Sequence, residues 1–215
     1  MKLFLTSAGL PPEITEAFLG LLSKNPEETR ICLITTASLE HHPDGVVPYV
    51  EGDKRRLSEL GFKTMSEIDL RNETEKSLND KFKNFDVIFV EGGNTFYLMK
   101  YIWESGFDKA IKPFLDNGGI YFGISAGSIV VGKDISCSGW DPAWDENTVG
   151  LEDMRGLGLV DFIISPHYAP EEDAVINENK SKVSCPIFAL TDSQAILING
   201  EDVRFIGPGE FKKFE

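Results

Sequence analysis

Cysteine is scarce in this sequence. The three thiols, Cys32, Cys137 and Cys185, are an odd number, far apart and without metal-type spacing. That excludes a small disulfide-built scaffold and a cysteine-ligated zinc site. Free, mostly buried thiols in a reducing compartment are the expectation. Basic residues are also few: 21 Lys and Arg stand against 35 Asp and Glu, a formal net charge of -14. A chain so acidic lacks the positive surface that nucleic acid or an anionic membrane needs to release its counterions, so neither is an expected partner. Long apolar runs are missing as well. The run Leu3-Phe4-Leu5 near the N-terminus falls short of the roughly 7 to 15 residues of a secretory core, and nothing approaches the roughly 18 of a membrane span. The segment reads as a first buried strand, and the protein is expected to be cytoplasmic. Glycine and proline are scattered, with no linker, repeat or low-complexity tract. The length of 215 residues suits a single domain, 1–215.

What is present is an alternation of short apolar runs with amphipathic stretches. Lys2 to Thr6 precedes a helix expected from Pro12 to Lys24, with Ile14, Phe18, Leu21 and Leu22 on one face. Arg30 to Thr36 is a second buried strand. A loop with His41, His42, Pro43 and Asp44 leads into a helix ending near Leu60, with Gly61 as its C-terminal cap. Thr64 to Leu70 is a weaker strand and Phe85 to Glu91 a strong one. Helices follow through Tyr101 and from Phe107 to Leu115, then a strand from Ile120 to Ile124. Phe162 to Ser165 and Pro186 to Thr191 are later strands, and a hairpin turns across Asn199 to Asp202. Near-continuous apolar strands separated by helices predict an α/β fold with a mostly parallel sheet covered on both faces.

In such folds chemistry gathers beyond the carboxyl ends of the strands. Three strand ends carry polar residues: Glu91-Gly92-Gly93-Asn94, Gly123-Ile124-Ser125-Ala126-Gly127, and Ser165-Pro166-His167. The second fits G-x-S-x-G, the sharp strand-to-helix turn that exposes a nucleophilic serine, with a helix N-terminus behind it. A serine needs a base, and of the three histidines only His167 emerges from a buried strand. His41 and His42 read as solvated loop residues. The acid that orients the imidazole has two placements. Between Ser125 and His167 it would be Asp134, Asp141, Asp145 or Asp161; after His167 it is Asp192, which ends a buried strand at the same edge. The oxyanion donors are expected from the backbone of Ala126 and from Gly92 or Gly93, with Asn94 beside them. The segment from Ser138 to Asn147 holds Trp140 and Trp144 in a Gly- and Pro-containing loop; the tryptophans either wall the cleft or pack on the body of the domain.

Val90 to Thr95, Gly123 to Ser128 and Ser165 to Tyr168 together resemble peptidase family S51, the group of dipeptidase E and cyanophycinase. The resemblance runs over nearly the whole chain, in the family's order and spacing. It implies a three-layer flavodoxin-like fold related to class I glutamine amidotransferases. It also implies a triad in chain order Ser, His, acid, favouring Asp192, and no metal or organic cofactor. Dipeptidase E is expected to have Glu at the acid position, so Asp192 is a departure in length. A second departure concerns specificity. Basic residues soon after the catalytic His are expected to hold an N-terminal aspartate in dipeptidase E. Here His167 is followed by Tyr168-Ala169-Pro170-Glu171-Glu172-Asp173, which is acidic.

The expected function is therefore a serine peptidase acting on short peptides, not a strict aspartyl dipeptidase. Two rivals stand beside it. One is a hydrolase on the same frame that cleaves an ester or a cyanophycin-like substrate. The other is a non-catalytic protein that binds a small molecule or peptide. An amidotransferase fits less well, since that chemistry uses Cys where this chain has Ser125.

Overall fold

Near-continuous apolar runs form strands buried on both faces, because neither face can be left to water. Four of them, β1 (Lys2–Thr6), β2 (Arg30–Ile34), β4 (Val87–Val90) and β5 (Ile120–Ile124), make the parallel part of the central sheet together with the largely exposed edge strand β3 (Thr64–Ile68). Two short strands follow, β6 (Ile163–Ser165) and β7 (Ile187–Ala189), then β8 (Ala195–Asn199), β9 (Asp202–Ile206) and β10 (Lys212–Phe214). The computed structural model describes residues 1–40, 42 and 47–215; His41, Pro43 and Asp44 of the histidine loop lie outside the described residues.

The seven-stranded sheet has the order β3-β2-β4-β5-β1-β8-β9. The pairs from β3 to β1 are parallel, while β8 and β9 add antiparallel at the β1 side. The β8–β9 connection is the expected hairpin, turning at Gly200 with φ of 65°.

Side chains alternate between two helical layers, as strand geometry requires. Leu3, Leu5, Ile34, Ile88, Val90 and Tyr121 face α3 (Glu75–Phe82), α4 (Thr95–Ser105) and α5 (Phe107–Asp116). Phe4, Leu33, Phe89 and Phe122 face α1 (Pro12–Leu19) and α2 (Pro48–Glu59). On that second side Phe89 stacks on Phe122 at 4.3 Å, and Phe18 meets Phe122 edge-on at 4.8 Å. Each such ring contributes about 1.5–3 kcal/mol through burial. The result is an α/β three-layer frame consistent with the flavodoxin-like expectation.

Two expectations differ in detail. Helix α1 stops at Leu19 rather than Lys24, since Leu21 and Leu22 continue the apolar face in turns whose N–H groups reach back three residues, to Phe18 and Leu19. More consequential is that β6 and β7 do not join the central sheet. They form a separate three-stranded sheet of order β10-β7-β6. No helix among the described residues is long and apolar enough to cross a membrane.

Candidate active site

Ser125 leaves β5 with φ 47° and ψ -111° and is followed by a single helical turn, α6 (Ala126–Ile129). Among the described non-glycine residues only Ser125 and His167 (φ 59°) have positive φ. Such conformations cost about 1–3 kcal/mol each and persist only where the surroundings over-determine them. The surroundings here do so. Ser125 N donates to Thr6 O at 3.1 Å. Ser128 Oγ lies within 2.7 Å of Thr6 O and 2.8 Å of Gly123 O, and the buried Tyr121 hydroxyl donates to Gly127 O at 2.7 Å. The glycines of the motif are demanded by backbone approach: a Cβ on Gly123 would lie 2.4 Å from Gly127 O, and one on Gly127 2.2 Å from Val90 O. Because α6 is one turn long, its dipole adds little; the elbow's main effect is to present Oγ.

His167 Nε2 lies 2.9 Å from Ser125 Oγ, and its Nδ1 lies 2.7 Å from Asp192 Oδ1. The small sheet makes this meeting possible. Strands β6 and β7 run parallel with Ser165 beside Ala189, so the residues that follow them emerge together. Leu190 N donates to Ser165 O and Tyr168 N to Leu190 O, both at 2.9 Å, extending the pairing past His167. The four alternative aspartates are engaged elsewhere. Asp134, Asp141 and Asp145 accept from the backbone N–H groups of Ser136, Ala143 and Thr95, and Asp161 pairs with Lys133. The side chains of His167 and Asp192 are 51% and 63% exposed, so this chain of hydrogen bonds faces solvent until a substrate covers it.

Ser7, which no sequence pattern marks, completes the arrangement. It is fully buried at the exit of β1. Its Oγ accepts from His167 N at 2.6 Å and donates to Asp192 Oδ1 at 3.0 Å. One hydroxyl thus ties the positive-φ backbone of His167 to the carboxylate that meets its ring.

The glycine pair divides its work. Gly92 abuts Ser125: a Cβ there would sit 3.3 Å from Ser125 Cβ. Gly93, with φ 131°, is glycine for another reason, since a Cβ would lie 2.3 Å from Ala37 O. Ala126 is wholly buried directly behind Ser125. Asn94 is held within the protein. It caps α4 by accepting from Tyr97 N at 2.9 Å and donates to Glu146 O at 2.7 Å, so both ends of its amide bind protein, tethering the tryptophan loop.

A cavity of about 280 Å³ opens beside Ser125 and His167. Trp144 does both of the things considered for it, walling this cavity and packing against the core, while Trp140 packs on the core. The cavity also holds Cys137, whose thiol burial pushes up to about 12, so it stays protonated near neutral pH. Of the three acids after His167, only Glu172 lines the cavity. Asp173 accepts from the Tyr168 hydroxyl at 2.6 Å and pairs with Lys212 at 2.8 Å, and Glu171 is exposed. Asp145, from the tryptophan loop, is the other carboxylate at the cavity wall. A larger cavity, about 460 Å³, opens at the opposite end of the sheet around Asp86 and Ile120, where α/β folds do not place chemistry.

Directly before Gly92 lies Glu91, fully buried, with Asp53 as its carboxyl neighbour. Burial, with Asp53 beside it, raises its pKa well above the carboxylate range. Burial also raises Asp53, to about 6. Groups whose folded pKa is raised stabilise fully below their unfolded pKa, and that contribution is lost as pH rises through the folded one. For Asp53 the loss runs from the ordinary carboxylate range up to about 6. Asp53→Asn is therefore expected to be more stable than the parent at pH 8 by about 1–3 kcal/mol, with the gap closing toward pH 4. Urea melts at both pH values check this; equal gaps at the two would refute it.

The profile of peptidase family S51 matches residues 3–206. An uncharacterized peptidase of Listeria monocytogenes is 31% identical over 94% of this chain and 96% of its own. A peptidase E of Nostoc is 32% identical over 74% of this chain and 66% of its own. Among solved structures, a candidate peptidase E of Listeria monocytogenes superposes with a TM-score of 0.78 at 27% identity, over 97% of this chain and 98% of that one. With the profile covering all but the two ends, and a relative at 31% identity over 94% of this chain, the chain belongs to peptidase family S51.

Proposed function

We propose that the protein is a serine peptidase of short peptides, with Ser125 as nucleophile, His167 as general base and acid, and Asp192 orienting the imidazole. The observation that carries this reading is the continuous contact from Ser125 Oγ through His167 to Asp192, at 2.9 and 2.7 Å, on a strained serine at a strand end. A protein that only binds has no use for a serine held at φ 47° with a base against its hydroxyl.

The chemistry is acyl transfer. Ser125 Oγ forms a bond to the scissile carbonyl carbon as its proton passes to His167 Nε2. The carbonyl electrons move to oxygen, and that oxyanion is held by backbone N–H groups of Ala126 and of Gly92. The C–N bond then breaks, and Nε2 returns the proton to the leaving amine. Water, deprotonated by the same nitrogen, releases the acyl group and restores Ser125, so each peptide bond consumes one water. Asp192 and Ser7 hold the ring with Nδ1 protonated, leaving Nε2 free to accept.

The test is labelling with a fluorophosphonate and turnover of a library of short free peptides, both read by mass spectrometry. An adduct on Ser125 that Ser125→Ala lacks, with peptide cleavage lost in the same variant, is the expected result. An unlabelled Ser125 and intact peptides would favour the binding-protein reading. Labelling without peptide cleavage would favour an ester or other non-peptide substrate.

A further inference from the structure

The cavity beside Ser125 has an unusual lining for a site expected near an aspartyl-peptide family. Glu172 and Asp145 contribute two carboxyl groups, and no Lys or Arg lines it among the described residues. One Glu172 oxygen, Oε2, is shielded from solvent and has no hydrogen-bond partner. Ser138 reaches the same cavity, is 5% exposed, and its Oγ is likewise unpartnered. Asp145 is fixed in place by Thr95 N, which donates to Oδ2 at 2.8 Å. The rest of the wall includes Ile129, Ala143 and Trp144.

Buried polar atoms without partners are uncommon in folded proteins, and they mark places where something else supplies the partner. Here what is missing is a donor bearing positive charge. Burial pushes both carboxyls above their ordinary range, and the cationic partner that partly offsets it is His167, the base itself, rather than a Lys or Arg. Apolar walls combined with carboxylates suit a side chain that has an aliphatic stem and a cationic head. A carboxylate side chain would meet like charge and no cation.

Resting on the peptidase reading, we infer that this cavity selects a substrate residue with a cationic side chain, lysine or arginine, on the acyl side of the scissile bond. Glu172 and Asp145 meet the charge, Ser138 Oγ accepts one of its N–H donors, and Trp144 and Ile129 pack on the stem. The aspartyl preference of the resembling dipeptidases is thereby inverted rather than merely lost.

The experiment compares kcat/KM for X-Ala peptides, with X as Lys, its neutral isostere norleucine, Arg, its neutral isostere citrulline, or Asp. The proteins are the parent chain, Glu172→Gln and Glu171→Gln, the last changing an exposed neighbour outside the cavity. Lysine is expected to exceed norleucine, and arginine citrulline, by about tenfold or more, with Asp poorest. Glu172→Gln should cut the lysine-to-norleucine ratio at least about fivefold while Glu171→Gln keeps it. Cleavage with a ratio near one, a ratio indifferent to Glu172→Gln, or preference for Asp would overturn the inference and leave the peptidase standing. An N-acetylated series separates the two cations a peptide can offer. If acetylation stops cleavage while side-chain charge has no effect, the carboxylates hold the α-ammonium instead, and the assignment fails. If no peptide is cleaved, the peptidase reading falls and the inference with it.

Discussion

Ser125→Ala, His167→Ala and the double variant are expected to lower kcat/KM by about the same amount, each about ten-thousand-fold or more. The reason lies in the division of labour in the proposed mechanism. There the hydroxyl attacks only while its proton is leaving, and the proton leaves only to His167 Nε2, 2.9 Å away. Removing either partner stops the same step, so the second removal has nothing further to take. A double variant worse than either single one by another hundredfold would mean that the two residues act independently, and the relay would be wrong. Asp192→Asn is expected to cost less than either. Its carboxylate side chain is 63% exposed, so solvent screens its interaction with the imidazolium, and Ser7 still holds the backbone of His167. The measurement is steady-state kinetics on a peptide taken from the library screen, with thermal melts to show that each variant is folded.

How much of this was legible in the sequence varied with the range of the interaction. Strands β1, β2 and β5 could be read because burial on both faces leaves no polar position in their interiors. The elbow could be read because close backbone approach leaves a local mark, glycine at 123 and 127, whatever the rest of the chain does. The small sheet could not. Its three-residue strands β6 and β7 carry the same apolar signal as a central strand, and nothing local says which sheet they join. Its consequence, that His167 and Asp192 emerge side by side, follows from pairing between residues more than 20 apart. Ser7 is the extreme case. Its partners lie 160 and 185 residues away, and a serine after an apolar strand is unremarkable as text. Asn94 shows another limit. A polar residue beside two glycines reads as a substrate contact, and only the fold reveals that both ends of its amide also bind protein, as a helix cap to Tyr97 N and as a donor to Glu146 O. The acidic run after His167 was visible as charge, but only the fold separates Glu172 at the cavity from Asp173, which Tyr168 and Lys212 engage.

Gly127→Ala is expected to be strongly destabilising, costing more than about 4 kcal/mol and lowering the melting temperature by about 10 °C or more, or preventing folding. The added Cβ would stand 2.2 Å from Val90 O and 2.9 Å from Val90 C. These are backbone atoms of a central strand, fixed by parallel pairing on both sides, so no side-chain rotation relieves the overlap. Moving the helix turn away instead would break the Tyr121 bond to Gly127 O and the Ser128 bonds that hold the elbow closed. Gly52→Ala is the matching control. That glycine lies inside α2 with nothing within 4 Å of a built Cβ, so the substitution should raise stability by about 0.5–1 kcal/mol through helix propensity and backbone entropy. Opposite shifts from the same methyl, read by thermal or urea unfolding, would show that the elbow's glycines are set by contact between backbones. A Gly127→Ala variant melting within about 2 °C of the parent would instead mean that β4 and α6 can separate without loss. The positive φ of Ser125 would then have no rigid frame to enforce it, and a strained Ser125 would no longer follow from the fold.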